Sequence, residues 1–105
     1  MVDEKFRKAL EAYCEERGLE GDDAPLLFDD HAYDGSIVGI TEEGSLVYSE
    51  DAMVEELMSD EGWTYEEAVE WLQYNTLRSV GYAKGGKPPI LIPMTRESIL
   101  ETYGD

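Results

Sequence analysis

Apolar residues near the start of the chain recur at helical spacing. Phe6, Ala9, Leu10, Tyr13 and Cys14 fall at i, i+3, i+4, i+7 and i+8, so they share one stripe of an amphipathic helix. This pattern predicts a helix from about Asp3 to Arg17, with Gly18 as its stop. Residues 20–36 lose the periodicity and become rich in Asp, Gly and Pro. They read as a long loop, with Leu26, Leu27 and Phe28 as a short apolar anchor. Next, SIVGI and SLVYS flank TEEG; two β-branched apolar runs around a Gly-containing turn predict a β-hairpin.

Helical spacing then returns. Ser49 is placed to cap a helix from Glu50 to about Asp60, with Met53, Val54, Leu57 and Met58 on one face, Asp51, Glu55 and Glu56 on the other, and Gly62 at its end. TYEE supplies a capping box, Thr64 as cap and Glu67 reaching back, for a third helix running to about Ser79. Its predicted core face is Tyr65, Ala68, Val69, Leu72, Asn75 and Thr76. Trp71, Tyr74, Leu77 and Arg78 project elsewhere, so the helix either packs on two sides or presents an aromatic strip to a partner. PPILIPM is too short and proline-flanked for a helix and reads as a strand, followed by a helical turn from Thr95 to Tyr103. The expectation is one α+β domain over residues 1–105: a short, mainly antiparallel sheet, hairpin plus C-terminal strand, packed by three helices.

Charge changes the picture more than length does. The net charge is -17 in 105 residues. Residues 1–17 carry five acids and four bases, and residues 78–105 carry three acids and four bases. The flanks therefore balance, and the whole excess lies in residues 18–77, which contain no Lys or Arg. Such a field repels nucleic acid and anionic membranes and attracts basic proteins over a Debye length of roughly 8 Å. Cys14 is the only cysteine, which excludes an intramolecular disulfide and suits a reducing, cytoplasmic setting. The first seventeen residues alternate charged and apolar positions, so neither a signal peptide nor a membrane span is expected.

Motifs for chemistry are incomplete. GYAKGGKPP, residues 81–89, approaches the phosphate-loop pattern, but it follows a helix, leads into a strand, and has Pro88 where Ser or Thr would ligate magnesium. DDHAYDG, residues 29–35, partly matches a calcium loop through Asp30, Asp34 and Gly35, yet Ala32 and Thr41 stand where ligands belong. His31 is the only histidine, with no second histidine or cysteine nearby to complete a zinc or Cys-His site. No nucleophile elbow is present. The expectation is therefore no enzyme, no cofactor, no catalytic residue and no metal.

The remaining feature is a series of acidic doublets: Glu42-Glu43, Glu50-Asp51, Glu55-Glu56, Asp60-Glu61 and Glu66-Glu67. Carboxylates at i and i+4 stand about 6 Å apart along a helix, close to two steps of roughly 3.4 Å on one DNA strand. The sequence thus points to a basic, nucleic-acid-binding protein as partner. Glu42, Glu43, Asp51, Glu55, Glu56, Glu66, Glu67 and Glu70 would imitate phosphates, with Trp71 and Tyr74 as apolar anchors. The alternative is a non-catalytic interaction module that docks through Trp71, Tyr74 and Leu77, its charge serving solubility.

The stretch from Phe28 to Ile92 resembles a family of small acidic, largely uncharacterised bacterial proteins often found near mobile elements. FDDHAYDGSIVGITEEGSLVYSEDAMVEELM, GWTYEEAVEWLQYNTLRSVGY and PPILI carry the resemblance, over about 65 of the 105 residues. It implies a genetic setting and no known activity. Small acidic products of that setting are similar in composition to anti-CRISPR and other DNA-mimic inhibitors, which block the nucleic-acid channel of a partner such as a CRISPR effector.

Overall fold

A computed structural model describes residues 2–29, 31–79 and 85–104. Helix α1 (Glu4–Arg17) begins where Asp3 accepts a hydrogen bond from the Phe6 N-H, and ends at Gly18 in the left-handed region. The hairpin forms as expected, from β1 (Ile37–Ile40) and β2 (Leu46–Ser49). They pair antiparallel with Ile37 opposite Tyr48, and a bulge follows Ile37. Gly44 in the turn has φ 103°, and a Cβ there would come within 2.9 Å of the Asp23 carbonyl. Glycine is therefore required both by conformation and by close approach.

Helix α2 (Glu50–Glu61) follows β2 directly and stops at Gly62, whose N-H reaches the Met58 carbonyl. Ser49 occupies the cap position but makes no side-chain cap bond; its hydroxyl turns to the Asp51 carboxylate instead. Helix α3 (Tyr65–Trp71) carries both halves of the Thr64–Glu67 capping box. It runs on into a π-helical stretch, Leu72–Thr76, and a last α-helical turn, Leu77–Ser79. Strand β3 (Ile90–Ile92) and helix α4 (Arg96–Tyr103) complete the chain.

The result is an α+β domain with a three-stranded sheet in the order β1-β2-β3. The hairpin is antiparallel, whereas β3 joins the other edge of β2 in parallel, Val47 facing Ile90 and Ser49 facing Ile92. Two helices separate β2 from β3, so the chain returns to the start of β2 before the third strand forms, as a crossover connection requires. Pro89 and Pro93 bracket β3, in keeping with an edge strand.

The core lies between the sheet and helices α2 and α3. Phe28, Tyr33, Leu46, Tyr48, Met53, Val54, Leu57, Ala68 and Leu72 form it. Phe28 meets Tyr48 and Tyr33 edge-on, with ring centroids 4.9 and 5.8 Å apart, the geometry that aromatic quadrupoles favour. The loop anchor expected around Phe28 is thus part of the core. Helix α1 has no fully buried residue; Phe6 and Leu10 rest on the core from outside.

The face expected of α3 is only partly buried, and the π stretch alters its C-terminal half. Ala68, Leu72 and Thr76 are buried, but Tyr65 and Asn75 are exposed. The Leu77 N-H bonds to the Leu72 carbonyl, a five-residue step. This wider turn keeps Thr76 inward and rotates Asn75 out, where its side-chain amide donates to the Trp71 carbonyl at 3.1 Å. Asn75 therefore bonds within its own helix and does not belong to the core face.

Candidate functional site

Four of the ten sequence-derived partner residues converge on one surface. Glu67, Glu70, Trp71 and Tyr74 project from α3 and its π continuation and, with Trp63 and Asn75, line an open groove of about 470 Å³. Trp63 packs against Trp71 with centroids 5.4 Å apart, which fixes the ring that the surface presents. Trp71 is 36% exposed and Tyr74 63%. The aromatic strip therefore faces outward.

The other acids are distributed. Glu66 is exposed on the first turn of α3, and Glu42 and Glu43 are exposed in the hairpin turn. Asp51 and Glu55 line a second groove, of about 710 Å³, together with Tyr65, Gln73 and Tyr103. Asp51 also serves the local structure. Burial alone would raise its carboxyl, but the Ser49 and Ser98 hydroxyls and the Ala52 N-H outweigh that and hold it below the usual value. Glu67 is committed to the capping box, since it accepts from the Thr64 N-H at 2.9 Å. Glu56 is half-buried and accepts a 2.7 Å hydrogen bond from the Ser36 hydroxyl. It leans toward the 31–36 loop and away from a free charged row.

That loop carries a second cluster, which the sequence alone did not bring together. Ala32 and Tyr33 have φ 74° and 50°, costing about 1–2 kcal/mol each for residues with a Cβ. The conformation is held because Tyr33 is fully buried and its hydroxyl bonds Thr76 Oγ1 at 2.7 Å. Beside it the His31 ring sits 4.8 Å from the Tyr33 ring, and its Nε2 lies 3.3 Å from Asp60 Oδ2. Donor atoms of His31, Glu56 and Asp60 all fall within 4.8 Å of one another. The i, i+4 relation of Glu56 and Asp60 was visible in the sequence, but their closeness to His31 depends on the strained loop.

Asp34 is not available to a calcium loop. Both its oxygens are taken by Arg7, and Oδ2 also accepts from the Asp3 N-H at 2.8 Å. Asp30, the first ligand position of that pattern, lies outside the described residues. So do residues 81–84 of the phosphate-loop-like run. Its described end forms a β-bridge: the Lys87 N-H bonds the Ala24 carbonyl and the Lys87 carbonyl accepts from Leu26. Gly86 touches this segment so closely that a Cβ would meet Ala24 and Leu26 at 2.8 Å. Lys87 thus belongs to a strand-like connection and not to a helix N-terminus, which a phosphate loop needs.

No family model, curated protein or solved structure matches the chain. Among the described residues no helix is long and apolar enough to cross a membrane.

Proposed function

We propose that this chain is an acidic binding protein that occupies the nucleic-acid-binding surface of a basic partner and so acts as an inhibitor. The observation that carries the reading is the joint exposure of Trp71 and Tyr74 beside Glu67 and Glu70 around one groove. Surfaces that hold single strands combine Lys and Arg with aromatic stacking platforms. A face of rings set among carboxylates is complementary to both parts, the acids to the bases and the rings to the platforms. The field of residues 18–77, which lack Lys and Arg, adds long-range steering toward such a target. An RNA-guided nuclease, with its positively charged channel, is one partner of this kind.

The distribution of the acids argues for a focused face more than for a full-length row of imitation phosphates. Glu66 and Glu70, four residues apart and both exposed, are the pair to reverse, because Glu56 and Glu67 also have structural bonds. In the test, the chain is immobilised beside an acidic protein of equal net charge, and retained nucleic-acid-binding proteins are challenged with DNA and RNA. Retention by this chain alone, displaced by nucleic acid and lost in Glu66→Lys/Glu70→Lys, is the expected result. Retention that ignores both nucleic acid and charge reversal but is lost in Trp71→Ala would replace this reading with that of an aromatic docking module.

A further inference from the structure

We propose that His31, Glu56 and Asp60 form a binding site for a first-row divalent cation of the Zn2+ type. The donor set is one imidazole and two carboxylates, which suits a borderline cation better than the all-oxygen shells preferred by Mg2+ and Ca2+.

The geometry is close to what an ion requires. Two ligand atoms at roughly 2.1 Å from a tetrahedral ion are about 3.4 Å apart, and the buried His31 Nε2 faces Asp60 Oδ2 at 3.3 Å. The third donor lies within 4.8 Å of the others, so closing the set needs a shift of about 1 Å, within reach of a Glu side chain that turns about three bonds. Glu56 is oriented by the Ser36 hydroxyl at 2.7 Å, the kind of outer hydrogen bond that positions a ligating carboxylate. Asp60 keeps 26% of its side chain exposed, which leaves an entry path from solvent.

Electrostatics favour the same place. Asp60 and Glu61 lie in the last turn of α2, which has no basic side chain. Acids at a helix C-terminus oppose its dipole, and a cation bound there offsets both. It would also clamp the strained Ala32-Tyr33 loop to α2 by a bond at His31. This site is separate from the aromatic face, so either proposal stands or falls alone.

Titration calorimetry of ZnSO4 into the full chain, with MgCl2 in parallel, tests the idea. One equivalent of Zn2+ should bind, more tightly than Mg2+, and His31→Gln and Asp60→Asn should each weaken it about tenfold or more. Cys14→Ser should leave it unchanged. His31 is the only histidine, so its ring resonances in the wild-type chain report ligation even if a variant misfolds, and they should shift and saturate at one equivalent. Ring resonances that ignore Zn2+, equal binding by His31→Gln, or loss of binding in Cys14→Ser would each overturn the proposal in favour of a plain His31–Asp60 ion pair.

Discussion

Arg7 grips Asp34 at two points, Nε to Oδ2 at 2.6 Å and Nη2 to Oδ1 at 2.8 Å, and so fastens α1 to the segment that leads into β1. The two ends of this pair differ: the Asp34 side chain is fully buried, while Arg7 keeps 33% exposure. Burial alone would raise the Asp34 carboxyl, but the Arg7 guanidinium and the Asp3 N-H more than reverse this and hold it below its ordinary value. The pair thus adds a charge contact to the apolar packing of Phe6 and Leu10 that docks this helix on the core.

The asymmetry predicts unequal mutants. Arg7→Met strands a carboxylate that cannot reach water and should cost about 3 kcal/mol, the low end for a broken buried pair. Asp34→Asn leaves a guanidinium that can rehydrate and should cost roughly half as much. Urea unfolding at neutral pH measures both. Equal losses would show that packing, not charge burial, dominates the contact.

The same pair sets the acid limb of stability. Because the folded carboxyl sits below its unfolded value, its contribution is present above the ordinary carboxylate range and is lost as pH falls through the folded value. In Arg7→Met, burial should win and raise the carboxyl. That contribution then reverses sign: it is present below the ordinary value and fades as pH rises. Unfolding free energies from pH 2 to 7, compared between wild type and Arg7→Met, should show the change of slope.

Tyr48 governs the alkaline limb. Its ring is fully buried on the central strand, and burial pushes its hydroxyl up to about 12, against a smaller lowering by the Phe28 backbone. A raised tyrosine contributes stability fully present below pH 10 that is lost as pH rises toward 12. At about 1.4 kcal/mol per unit this amounts to about 2–3 kcal/mol. Tyr48→Phe keeps the edge-on contact with Phe28 and should be within about 1 kcal/mol of wild type at neutral pH. Its melts should lack the extra loss between pH 10 and 12, and a parallel decline in both proteins would exclude Tyr48 as the cause.

Much of this fold was legible because the signals are local. The Thr64–Glu67 capping box and the Gly18 and Gly62 stops each rest on residues within four positions of one another, and the hairpin around TEEG pairs residues no further apart than Ile37 and Tyr48. The parallel entry of β3 depends on how α2 and α3 return the chain, and apolar spacing does not encode that. Asn75 was assigned to the core because 100° per residue places it there; the π turn breaks that arithmetic. The His31, Glu56 and Asp60 cluster escaped for a related reason. It needs Ala32 and Tyr33 in a left-handed conformation that no residue-type rule assigns to Ala-Tyr. Trp71 and Tyr74 stand off the core face by helical spacing alone, but whether they face a second packing surface or solvent depends on the packing of α3.

Tyr33 and Thr76 link that strained loop to the π stretch, and the link can be measured. Their 2.7 Å hydrogen bond is buried, so Tyr33→Phe and Thr76→Val should each cost about 1–2 kcal/mol. If the bond is what couples the two irregular segments, the double mutant should lose less than the sum, with an interaction energy of about 1 kcal/mol. Strict additivity in denaturant melts would mean that the loop holds its conformation through ring packing alone.

The acid-aromatic face makes the most specific demand on binding. Charge acts over distance while the rings act in contact, so substitutions should separate along the reaction. Glu66→Lys/Glu70→Lys removes steering and should slow association, flattening its dependence on ionic strength. Trp71→Ala opens the Trp63–Trp71 contact and should instead speed dissociation, by tenfold or more if about 1.4 kcal/mol of anchoring is lost. Kinetics at two salt concentrations against a captured basic partner distinguish these effects. Both variants remain testable as folded proteins, because Glu66, Glu70 and Trp71 are solvent-facing and none of them belongs to the buried core. If charge reversal left the association rate and its salt dependence untouched, Glu66 and Glu70 would have no part in recognition, and the proposed acid-aromatic face would lose its acidic half.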